Sequence, residues 1–109
     1  MRGKSIFLSI VGDSPKARVL DFLLMFPKFD YSLTEIARNA EVGYTTLQMF
    51  WEDFVKNKIV IQTRTIGKAK LFKLNEDNPV VKELLSWSWN LTKRAISRKY
   101  PTQKIKVKV

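Results

Sequence analysis

A mainly α fold, with one β-hairpin set between a third and a long fourth helix, is what this sequence predicts. Three observations predict it. Apolar residues return at helical spacing in separate runs, the period changes to that of strands between residues 59 and 74, and a cap followed by proline opens two helices, at Ser14-Pro15 and Asn78-Pro79. The 109 residues have room for one ordinary core, and 45% hydrophobic and 12% aromatic side chains can fill it.

The chain opens on Met1-Arg2-Gly3-Lys4 and the apolar run Ile6-Phe7-Leu8-Ser9-Ile10-Val11. That run is too short for a secretory signal and leads into Gly12-Asp13-Ser14-Pro15 without a small-residue cleavage site, so it reads as part of the fold. No stretch approaches the ~20 apolar residues of a membrane span. A cytoplasmic protein is expected.

At Ser14-Pro15 a hydroxyl can accept from an orphan N–H, and proline suits the first helical position. Val19, Leu20, Leu23 and Leu24 then repeat at helical spacing until Pro27 stops the run. A loop, Pro27 to Tyr31, leads to a second start, where Ser32 and Glu35 stand in capping-box register. Leu33, Ile36, Ala37 and Ala40 make its apolar stripe, while Thr34, Arg38 and Asn39 face away. Glu41-Val42-Gly43 breaks the pattern, and a third helix over about 43–57 follows. Its inner side is Leu47, Phe50, Trp51, Phe54 and Val55; Tyr44, Thr45, Gln48, Met49 and Glu52 fall on the other.

Ile59 to Thr65 is rich in β-branched residues, Ile66-Gly67-Lys68-Ala69 supplies a glycine turn, and Lys70-Leu71-Phe72-Lys73-Leu74 returns as a second strand. From Pro79 to about Ser97 the fourth helix carries Val80, Val81, Leu84, Leu85, Trp87, Trp89, Leu91 and Ile96. That exceeds one apolar stripe. A dimer interface, a ligand pocket or a simple monomer core would each use it; three short helices and a hairpin offer too little cover, which favours pairing through Leu84, Leu85, Trp87, Trp89 and Leu91. Lys104-Ile105-Lys106-Val107-Lys108-Val109 suits an edge strand or a basic arm equally well. The expected organisation is 1–78 as the folded domain, 79–98 as a pairing helix and 99–109 as a basic tail.

Charge narrows the function. Net charge is +10, and beyond Asn78 eight Lys and Arg stand against one Glu. A polyanionic partner fits this balance, nucleic acid being the usual one. There is no cysteine and no histidine, which removes thiolate chemistry, the commonest metal ligand and the usual general base near neutral pH. With 4 glycines and no phosphate-cradling loop, no Ser/His or Cys/His pairing and no metal or cofactor motif, an enzyme is not expected.

Two helices joined by a tight glycine-containing turn, with a hairpin directly after the second, is the order of a winged helix-turn-helix. Residues 12–78 resemble archaeal winged-helix transcriptional regulators. Ser14 to Leu24 looks like their first helix, Ser32-Leu33-Thr34-Glu35-Ile36-Ala37 like their second, and Gly43-Tyr44-Thr45-Thr46-Leu47 like the start of their recognition helix. Phe54-Val55-Lys56-Asn57-Lys58-Ile59-Val60 looks like the exit into the wing, where relatives usually have glycine near Asn57 or Lys58; Asn57 tolerates the left-handed conformation.

That resemblance implies a third helix in the major groove of double-stranded DNA, with Tyr44, Thr45, Thr46, Gln48 and Met49 as base-edge or phosphate contacts. Arg64, Lys68 and Lys70 of the wing, with Arg38, are the expected backbone or minor-groove contacts. A homodimer would present two recognition helices one helical turn apart. Against this, the outer side of the third helix has no arginine, and Glu52 and Asp53 would repel phosphate. Those acids favour the alternative, a winged-helix interaction module in a transcription or replication assembly.

Overall fold

The computed structural model describes residues 5–99; most of the expected basic tail lies outside the described residues. The elements are α1 (Ile6–Val11), α2 (Pro15–Met25), β1 (Tyr31–Ser32), α3 (Leu33–Ala40), α4 (Tyr44–Lys56), β2 (Val60–Ile66), β3 (Ala69–Leu74) and α5 (Pro79–Lys99).

Two elements were not read from the sequence. The first is α1, capped by Ser5, whose Oγ accepts the Leu8 N–H at 3.0 Å, with Phe7 and Leu8 buried. Six residues make less than two turns, so the helical period has no room to show. The second is β1, at the end of the expected loop. It pairs antiparallel with β3, Tyr31 opposite Phe72 and Ser32 opposite Leu71, making a three-stranded sheet in the order β1-β3-β2.

Elsewhere the local signals act as expected. Ser14 Oγ accepts the Ala17 N–H at 3.1 Å and starts α2. Ser32 caps α3 through the reciprocal box with Glu35, at 3.2 and 2.9 Å, so one residue ends a strand and begins a helix. Gly67, at φ +62, gives the hairpin turn between β2 and β3 its positive φ without a Cβ clash.

The core forms where α2, α3 and α4 meet the sheet. Val19, Ile36, Leu47, Val60, Leu74 and Val81 are essentially inaccessible, one or more from each of α2, α3, α4, β2, β3 and α5. Truncating any of the larger ones to alanine costs about 2–5 kcal/mol, a large part of a small domain's stability.

At the exit from α4 the left-handed residue is the second of the two positions where relatives carry glycine. Asn57 keeps a negative φ of −84°, and Lys58 takes the left-handed conformation at φ +58. The hydrogen bonds explain why. Lys58 N–H donates to Val55 O and Ile59 N–H to Phe54 O, the paired bonds of a Schellman motif, which place the left-handed residue one step later. Asn75 and Asn78 amides both donate to Lys58 O at 3.0 Å and fasten the exit to the start of α5.

Along α5, Val81 is buried and Ser88 and Ala95 are half-buried, seven residues apart, so this line faces the domain. Two apolar stripes flank it. Leu84, Trp87 and Leu91 lie on one flank, where the Trp87 ring meets Phe7 of α1 edge-on at 5.6 Å. Leu85, Trp89 and Ile96 lie on the other, with Trp89 58% and Ile96 50% exposed. The short α1 therefore covers part of the surface that looked unpartnered in the sequence.

Candidate nucleic-acid interface

Leu47, Trp51 and Phe54 are buried on the inner side of α4, and at 100° per residue that leaves Thr45, Gln48, Met49 and Glu52 on the opposite side. All four are exposed, Met49 to 80%. Thr46 is different. It is half-buried on the flank, beside Gly43, and does not share this outward surface.

Tyr44, at the first position of α4, belongs to a cleft of about 370 Å3 between the start of α3 and the wing. Ser32, Leu33 and Thr34 form one wall, Lys68 and Lys70 the other, and Phe72 the base. The structure thus brings together three residues expected separately: Tyr44, Lys68 and Lys70. Two lysines and a tyrosine thus line one cleft, an arrangement suited to an anion, while the cap of α3 is already made by Ser32 and Glu35.

Arg64 is placed otherwise. Its Nε donates to Asp30 Oδ2 at 2.9 Å and its Nη2 to Asp30 Oδ1 at 3.2 Å, while Thr63 Oγ1 donates to the same carboxylate at 2.6 Å. A register irregularity between Gln62 and Arg64 turns Thr63 out of the ladder and brings it to Asp30. The Arg64 guanidinium, with help from Thr63, holds the Asp30 carboxyl down at about 2. Arg64 fixes the wing to the segment before β1 and does not line the cleft. Arg38 is exposed in the last turn of α3, also outside the cleft.

Other cations brace the scaffold. Arg18 donates to Asp13 at 2.6 Å and to the Glu41 carbonyl at 2.8 Å, tying α2 to the turn between α3 and α4. Glu76 holds Lys28 at 3.0 Å and Lys73 at 3.4 Å, and these cations, Lys28 first, lower its pKa. Asp30, the partner of Arg64, was missed by sequence reasoning. No local signal marks it, because the pairing spans 34 residues and needs the bulge to exist.

No family model and no curated protein matches the chain. Among solved structures, the chain is similar to the crystal structure of Sso10a-2, a DNA-binding protein from Sulfolobus solfataricus, with a TM-score of 0.51. Identity is 13%, over 84% of this chain and 96% of that one. The fold is a winged helix.

In winged-helix terms α3 and α4 are the helix-turn-helix, β2 and β3 the wing, and α5 the helix after the wing. Among the described residues no helix is long and apolar enough to cross a membrane, and no three His, Cys, Asp or Glu gather as metal ligands.

Proposed function

We propose that the chain binds double-stranded DNA as a homodimer and serves as a transcriptional regulator in the cytoplasm rather than as an enzyme. The cleft carries this reading: Lys68, Lys70 and Tyr44 meet the start of α3 immediately beside the exposed outer side of α4. A phosphate in the cleft would seat α4 against the major groove, with Thr45, Gln48 and Met49 toward base edges. Gln48 can pair with adenine, and Met49 and the Thr45 methyl can contact thymine methyls. The likeness in fold to a DNA-binding protein supports the same reading.

The dimer rests on α5. Trp89 and Ile96 stand seven residues apart on one exposed flank, a spacing that two helices can share as a seam.

Titration of random-sequence duplex DNA by fluorescence anisotropy, at several salt concentrations, tests the proposal. With about five phosphates neutralised per protomer, log K falls with log salt at a slope of about −4 to −5. Lys68→Ala/Lys70→Ala should weaken binding and flatten the slope by about 1.8. No binding at low salt would refute the reading and favour the interaction module, to which the exposed acids Glu52 and Asp53 on α4 point.

A further inference from the structure

On the opposite side of α5 from Trp89 lies an apolar groove of about 410 Å3, walled by Val11, Leu20, Phe54, Ile59, Leu84 and Trp87. Its walls come from α1, α2, the last turn of α4, the exit toward β2, and α5. The volume lies in the range of small-molecule sites. Val11 is 46% and Trp87 38% exposed, so the groove is open to solvent.

Among the described residues one charged side chain lines it, Lys16, and no carboxylate does. The Lys16 ammonium stands 5.9 Å from the centre of the ring of Phe50, a neighbour of Phe54 that lies outside the lining. We infer that the groove is a binding site for a small, flat, apolar anion, an aromatic carboxylate or sulfonate, with its rings against Trp87 and Phe54 and its charge toward Lys16.

The chemistry of the walls selects that class. Aromatic rings lining a narrow groove favour a flat apolar body. The lone ammonium favours an anionic head, since a bond to a charged donor is the stronger kind. A nucleic-acid backbone carries too little apolar surface for these walls. A second copy of this chain, at a net charge of +10, would bring further positive charge toward Lys16.

The inference does not depend on DNA binding and is tested without it. Anilinonaphthalene sulfonate, whose fluorescence rises in apolar surroundings, is titrated against the native protein beside N-phenylnaphthylamine, which has the same rings and no sulfonate. The expected result is one saturable site per chain that prefers the sulfonate. Lys16→Gln should weaken the sulfonate about tenfold and leave the neutral compound unchanged. Val11→Glu, a substitution at an exposed wall position, should weaken both. Lys93→Gln should alter neither, although Lys93 also stands over a tryptophan ring, that of Trp89, at 5.9 Å.

Circular dichroism of each variant confirms that the helices are kept. Equal affinity for the two compounds, or a sulfonate affinity unmoved by Lys16→Gln and Val11→Glu, would overturn the inference. So would loss of binding in step with dimer formation, because a second copy would then be the occupant.

Discussion

Arg64 reaches across 34 residues to grip both carboxylate oxygens of Asp30, and Thr63 adds a third bond to the same group. The wing is therefore held along β2 at Thr63 and Arg64, opposite Leu71, with Lys70 one pair nearer the turn and Lys68 in the turn itself. Asp30→Asn should release the guanidinium. If the chain binds DNA as proposed, the freed cation adds a phosphate contact, and the salt slope steepens by about 0.9 with tighter binding at low salt. An unchanged slope would show that Arg64 never reaches phosphate.

The same pair fixes a pH response. The folded Asp30 titrates at about 2, below its ordinary 3.8, so its contribution is complete above about pH 4 and is lost as pH falls through 2. The protection factor of the Arg64 amide, its exchange rate compared with the intrinsic rate at the same pH, should hold down to about pH 4 and fall below it. In Asp30→Asn it should be low throughout. Exchange that follows pH identically in both proteins would mean that the wing is held by its ladder alone.

Lys58 is a non-glycine residue at φ +58, a conformation that costs an L residue about 1 kcal/mol. Lys58→Gly should stabilise the domain by about that amount, shifting Tm upward by about 4–8 °C. Calorimetry reads it directly. A lower Tm would mean that the lysine side chain contributes more than its backbone costs.

Trp89 and Ile96 are the most exposed large apolar residues of the outer flank of α5. Trp89→Glu/Ile96→Glu should turn a dimer into a monomer by sedimentation while leaving helical circular dichroism in place. A wild-type chain that is already monomeric at tens of micromolar would remove the basis for pairing through this flank.

Leu47 is the inaccessible residue that seats α4 on the core. Leu47→Ala should lower stability by about 2–5 kcal/mol in urea denaturation. Its loss should be far larger than that of Met49→Ala, which is 80% exposed.

What the sequence made legible were features that act within a few residues. Ser14-Pro15, the Ser32–Glu35 box and the change of period near Ile59 each depend on neighbours, and each sits where it was expected. For the candidate site, the sequence offered residue types and their order along the chain. Its partition was not legible: Arg64 and Lys70 are equivalent as basic wing residues in sequence, yet one is paired to Asp30 and the other lines the cleft. That difference arises from a bulge and a distant acid, which no local pattern encodes. Thr46 likewise needed the rotation of α4 to be known before it could be separated from Thr45. For α5, the apolar excess was real, but part of its cover came from α1, a helix too short to announce itself.

The irregularity at Thr63 has a further consequence. β2 is the outer strand of the sheet, seven residues long and exposed along nearly its whole length, with β-branched side chains at most positions. A straight ribbon of that composition is a template on which other chains add strands and aggregate. The extra residue at 63 twists the ribbon out of register, and the Arg64–Asp30 pair pins it in that shape. Copies of the chain at high local concentration would then meet one another at an edge that is a poor template for fibres.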